Sequence, residues 1–237
     1  MVAGSNAALT AENPGLDKVL LGIGWDIVPS RGPQAELVPM VIMCGTDGRA
    51  ISDDHLVFFN QIASPDGSIS FAGAEDQEQI DVDLSRVPES VHKIAVLLYV
   101  DPEVRGPGTF GAVKNAYLRV ATDQNRELLR FTVPRGNLDK INAMILGELY
   151  RHAGGWKFRA LGQGYEAGLA AVGLRRTLRA VERGVAAGTH ARTRRAAAAK
   201  ALAVTARTRR ARVVIAAAKL AIVDGRVVAT CEYDRGR

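Results

Sequence analysis

Short apolar runs separated by turn formers dominate the first three quarters of this 237-residue chain. The runs fall at 18–23, 36–44, 56–61, 94–100, 115–121, 126–133, 141–150 and 156–161. Between them lie Pro29-Ser30-Arg31-Gly32-Pro33, Thr46-Asp47-Gly48, Ser64-Pro65-Asp66-Gly67, Gly106-Pro107-Gly108 and Ala153-Gly154-Gly155. Many short strands at regular spacing, joined by Gly, Pro and Asp turns, predict a mainly β sandwich or barrel rather than a βαβ array. One or two short helices fit beside them, for example over 164–172.

The charge distribution divides the chain at Leu174. Residues 1–174 carry −6 and residues 175–237 carry +12, which together give the overall +6. The first part is long enough to bury a sandwich core and is expected to fold alone. The second is rich in Ala and Arg, both strong helix formers, but has almost no large apolar side chain before Val213. It reads as a basic, partly helical extension over 175–212. The last stretch is open between a short helix ending at Asp224-Gly225 and a strand pair turning there, with the Ala triplet at 216–218 favouring the helix.

Several classes are excluded or disfavoured. No uncharged apolar run of about 18 residues exists to span a membrane. The first 16 residues lack a charged leader and an apolar block, so a cytoplasmic location is expected. Cys44 and Cys231 form no CxxC pair, and His55, His92, His152 and His190 stand without partners at zinc-binding spacing.

Four stretches, in order, carry a family resemblance: PGLDKVLLGIGWD at 14–26, FFNQIASPDGSI at 58–69, IDVDLSRVPESVHKIAVLLYV at 80–100 and GELYRHAGGWKFRALGQGYEAGLAAV at 147–172. Residues 3–174 resemble the TerD family of tellurium-resistance and stress proteins. The resemblance implies a two-sheet β-sandwich, a cytoplasmic bacterial protein, a place among stress systems linked to tellurite and other toxic agents, and calcium held in acidic loops. It does not cover the basic extension.

Ca²⁺ takes six to eight oxygen ligands, usually carboxylates and carbonyls gathered by sharp turns. The positions where the family carries such ligands are here Asp26, Asp66 in its Pro-Asp-Gly turn, and Asp76 and Glu78 in the acidic run from Glu75, which could converge on one end of the sandwich. Asp66 also reads as a simple turn former. Three departures weaken the site. Where the family shows Asp-Leu-Asp-Ala-Ser, this chain has Glu36, Leu37, Val38, Pro39 and Met40; where it shows Gly-Asp-Asn, the Asp is Ala74; and one of a pair of Asp residues is Gln77. At most one weakened calcium site is expected. Asp83 is better read as a strand end capping a helical turn.

Signals for catalysis are poor. Ser64, Ser68 and Ser85 lack a Gly-x-Ser-x-Gly elbow and a marked base. Gly22-Ile23-Gly24 and Gly162-Gln163-Gly164 do not extend into a phosphate loop, and are expected to let strands bend beside bulky rings such as Trp25 and Trp156. No enzyme is expected, and having no thiol pair the chain offers no obvious way to reduce tellurite. The expected function is non-catalytic stress resistance through partners from the same stress system. The alternative is a nucleic-acid-associated protein gripping phosphates nonspecifically through 175–237, although the extension has no aromatic residue before Tyr233 for base stacking. Attraction to an acidic partner or to the sandwich's own acidic loops, or a solvated extension with no selected role, stay open.

Overall fold

The computed structural model describes residues 1–28, 35–59, 61–72, 76–101, 108–134, 136, 138–166, 219–223 and 226–230. The strands are β1 (Asn6–Ala7), β2 (Lys18–Ile27), β3 (Leu37–Cys44), β4 (Leu56–Val57), β5 (Ile69–Ala72), β6 (Glu78–Asp83), β7 (Lys93–Val100), β8 (Val113–Thr122), β9 (Glu127–Thr132), β10 (Ala143–His152) and β11 (Gly155–Tyr165), with one short helix, α1 (Leu9–Glu12). They form a six-stranded sheet A, in the order β1-β11-β10-β7-β3-β4, and a five-stranded sheet B, in the order β5-β6-β2-β8-β9. Every neighbouring pair is antiparallel.

Side-chain alternation assigns the faces. In sheet B, Val19, Leu21 and Ile23 of β2 and Leu118 and Val120 of β8 point inward; in sheet A, Val41, Met43, Val96, Leu98, Leu146 and Phe158 do so, and all belong to one buried core. β3 is buried on both faces along its whole length. Its outward set, Val38, Met40, Ile42 and Cys44, joins Leu97, Tyr99 and Ala143 and the segment bearing Leu56, Phe58 and Phe59 in a second cluster. A strand covered on both sides reads as an unbroken apolar run, which is why 36–44 shows no alternation.

Each of the eight apolar runs overlaps a strand, and the two-sheet sandwich is present. The run at 56–61 yields only two strand residues. β5 was not legible as a strand, and of β6 only the end at Asp83 was read. β6 reads Glu-Gln-Ile-Asp-Val-Asp, and only Ile80 and Val82 mark its inward face. The helix expected over 164–172 is not where it was placed: Gly164 and Tyr165 end β11, opposite Met144 and Ala143, and 167–172 lie outside the described residues. The stretch where a helix was favoured is instead a pair of antiparallel strands, β12 (Lys219–Val223) and β13 (Arg226–Thr230), with Val223 opposite Arg226. The β-branched residues flanking Asp224-Gly225 favour a tight hairpin over the weaker pull of three alanines. The partly helical reading of 175–212 lies outside the described residues.

Candidate functional site

β2 is the middle strand of sheet B, and its outward positions carry Gly22 and Gly24. Gly22 faces Arg119 of β8 and Gln79 of β6, and Gly24 faces Tyr117 of β8. A Cβ at Gly22 would collide with the Asp76 carboxylate and with Nε of Arg119, and one at Gly24 with the Tyr117 ring. The two glycines are therefore a floor on which larger side chains lie. Trp25, the neighbour suspected from the sequence, packs against the core on the opposite face.

On this floor a polar network closes. Arg119 Nε donates to Asp76 Oδ1 at 3.0 Å and to Oδ2 at 2.9 Å, and Nη2 donates to Oδ2 at 2.7 Å. The Tyr117 hydroxyl donates to Oδ1 at 3.0 Å. Arg119 Nη2 also donates to Asn125 Oδ1 at 2.6 Å. Asn125 adopts φ 63° in the turn from β8 to β9, a conformation that favours Asn among side-chain-bearing residues. The ion pair is nearly sealed from water, with side-chain exposures of 8% for Arg119 and 6% for Asp76. Beside it Arg130 stacks over the Tyr117 ring, 4.3 Å from its centroid, and pairs with Glu127 at 2.8 Å. Burial raises the Tyr117 hydroxyl above its usual range, and its hydrogen bond to the Asp76 carboxylate raises it further.

The four candidate calcium residues are not brought together. Asp26 is exposed on the outer face of β2, four positions and therefore about 13 Å beyond Gly22, over which Asp76 lies. Glu78 opposes Ile23, a core residue, so it shares the inward face, away from Asp76. Burial pushes its carboxyl above the usual range. Asp66 sits at the other end of the hairpin: Ser68 O accepts from Asp83 N, and the six residues of β6 put about 17 Å between that level and Glu78. Convergence on one end of the sandwich was the wrong expectation. Among the described residues no group of three or more His, Cys, Asp or Glu could hold a metal ion.

The other singled-out residues serve the backbone. Asp66 Oδ1 accepts from Ser68 N at 2.7 Å and from Ser64 Oγ at 3.1 Å, and Arg86 Nη2 donates to Asp66 O at 2.9 Å. Partial burial pushes the Asp66 carboxyl up, but these Ser68 and Ser64 bonds outweigh it and leave it below the usual range. Asp83 ends β6 and accepts from Ser85 Oγ at 2.6 Å, and Arg86 N donates to Asp83 O at 3.1 Å across the turn that follows, as read from the sequence. Gln77 donates nothing to a metal site; its side-chain oxygen accepts from Trp25 N. Ser52 lies 2.8 Å from His55 Nδ1 in an exposed 3-10 turn. Cys44 is buried, which pushes its thiol up to about 12 against the opposing pull of Lys93.

Arg119, Tyr117 and Asn125 were missed from the sequence. The available signal was a cation in the middle of β8 between core residues Leu118 and Val120, in register with a glycine.

The TerD domain family model matches residues 1–174. The chain belongs to the TerD family. It is 36% identical over 182 residues to General stress protein 16U of Bacillus subtilis (strain 168), covering 73% of this chain and 93% of that one. It is 34% identical over 177 residues to Tellurium resistance protein TerD of Serratia marcescens, covering 71% and 92%. A crystal structure of a TerD homologue from Streptomyces coelicolor A3(2) superposes with TM-score 0.52 at 24% identity, covering 68% of this chain and 96% of that one. TerD relatives are named as resistance and stress proteins rather than enzymes, and membership supports a stress-resistance function. No helix among the described residues is long and apolar enough to cross a membrane.

The calcium that the family resemblance implies does not fit the residues described. Ca²⁺ needs converging oxygens with lone pairs to give, whereas here the candidate carboxylates point to different faces and ends, and both Asp76 oxygens already accept from Arg119.

Proposed function

We propose that this chain protects cells against tellurite or related toxic agents without catalysing a reaction on them, by presenting its sandwich to other proteins of the same stress system in the cytoplasm. The observation that carries this reading is the closed network on sheet B. A general base, nucleophile or metal ligand needs an uncommitted lone pair in an accessible place, and Asp76 and Arg119 are spent on one another nearly sealed from water, with the half-buried Tyr117 hydroxyl committed to Asp76. Cys44, buried and with its thiol held protonated, offers no thiolate for reducing tellurite. Calcium binding on this reading is weak or absent. The names of the Serratia and Bacillus relatives supply the agent and the stress setting.

The test is paired. Expression of the full chain in a tellurite-sensitive strain is expected to raise the tolerated tellurite concentration, while the purified chain does not speed tellurite reduction above the rate of the added reductant alone. Turnover in the purified system contradicts the reading.

The charge of +12 over residues 175–237 favours a second reading, in which the extension binds nucleic-acid phosphates. Affinity for a labelled duplex would then fall by about 10³-fold or more between 50 and 200 mM salt. It would be lost when Arg192, Arg194, Arg195, Arg207, Arg209 and Arg210 are replaced by Gln in the full chain.

A further inference from the structure

Asp76 belongs to the acidic run at which the family resemblance implies a cation, yet its carboxylate lies over Gly22 beside the guanidinium of Arg119, with which it pairs. The arrangement resembles an ion site in every respect except the ion. A carboxylate is turned in toward the sheet, its two oxygens are fully used, and the positive partner is almost as buried as the carboxylate. Arg119 supplies three of the four hydrogen bonds to it. Its fixed fork matches the carboxylate, and Asn125 and the Tyr117 hydroxyl complete the surroundings. The floor beneath it is full: a methyl at Gly22 would meet both the Asp76 carboxylate and Nε of Arg119.

We propose that in this chain the Arg119 guanidinium takes the place of a bound cation at the 76–78 loop, fastening that loop to sheet B and closing it to calcium. This deepens the reading of calcium as weak or absent and rests on it, but the two fail differently. Calcium bound anywhere on the protein bears on the broader reading. Only calcium that depends on Asp76 bears on this one.

The experiment follows the thermal midpoint of the full chain in chelator and in millimolar Ca²⁺, for four proteins: the natural sequence, Asp76→Asn, Arg119→Gln and the double variant. The quantity read is the part of the calcium shift that Asp76→Asn removes, so that an ion held elsewhere cancels. The natural sequence is expected to show none. Arg119→Gln, with its buried carboxylate left unpaired, is expected to melt about 10 °C lower and to regain a few degrees with Ca²⁺, a recovery absent from the double variant. An Asp76-dependent shift in the natural sequence overturns the proposal, and so does an Arg119→Gln protein that folds but shows no such shift. Should Arg119→Gln not fold, Arg119→Met, which fills the space without the charge, carries the same comparison, and an Asp76-dependent shift in the natural sequence still overturns the proposal.

Discussion

A methyl group at Gly22 is the smallest change that reaches the site. The atoms it would meet are the carboxylate of Asp76 and Nε of Arg119, and neither can step aside without giving up hydrogen bonds in a place water scarcely enters. Gly22→Ala is therefore expected to lower stability by about 2 kcal/mol, read as a lower urea midpoint at unchanged m. Gly22 was legible as a position needing a close approach, since a glycine inside a strand has few other uses. What approaches was not legible. The rings suspected were Trp25 and Trp156, but Trp25 turns to the core and Trp156 lies under Arg151. The partners of Gly22 and Gly24 come from residues 76, 117 and 119; the register of β2 against β8 reveals the last two, and Asp76 reaches Gly22 from just before β6. Asp76 was singled out as a calcium ligand, whereas the structure pairs it with Arg119. Its partner escaped notice because an arginine in mid-strand looks, in one dimension, like any solvated cation.

Among the elements, β3 and β7 were easy to place because burial on one or both faces leaves long apolar runs, whereas β6 was lost because four of its six residues are polar. The turn that follows β6 was legible from Asp83, but what holds it was not. It is fastened from outside by Arg151 of β10, whose Nε donates to Val91 O at 2.9 Å and whose Nη2 donates to Val87 O at 2.8 Å and Pro88 O at 3.3 Å. The guanidinium also stacks 4.5 Å from the centroid of Trp156 in β11. One side chain thus holds a turn and two strands of sheet A, where an ammonium could satisfy only part of the set. Arg151→Ala is expected to cost about 2–3 kcal/mol, and Arg151→Lys to recover less than half of it, both measured by urea unfolding. Full recovery by lysine would mean that charge alone matters there.

For the whole molecule, the TerD sandwich and the basic extension are two physical regimes in one chain. The TerD family match ends at residue 174, where the charge changes sign. The sandwich is held by a core shared between two sheets, and its outer face on sheet B is closed by an internal ion pair. The account therefore stands or falls on whether Arg119 and Asp76 stabilise the folded chain as a unit. The most direct measurement is a double-mutant cycle on the full chain, with Arg119→Gln, Asp76→Asn and the two together, each followed by urea unfolding. Each single change leaves a buried charge alone and is expected to cost about 3–5 kcal/mol. The double variant, left with two neutral amides, is expected to cost about as much as either single change alone, for a coupling of about 3 kcal/mol. Additive losses with no coupling would contradict the account, because they would mean that the two charges meet without depending on each other.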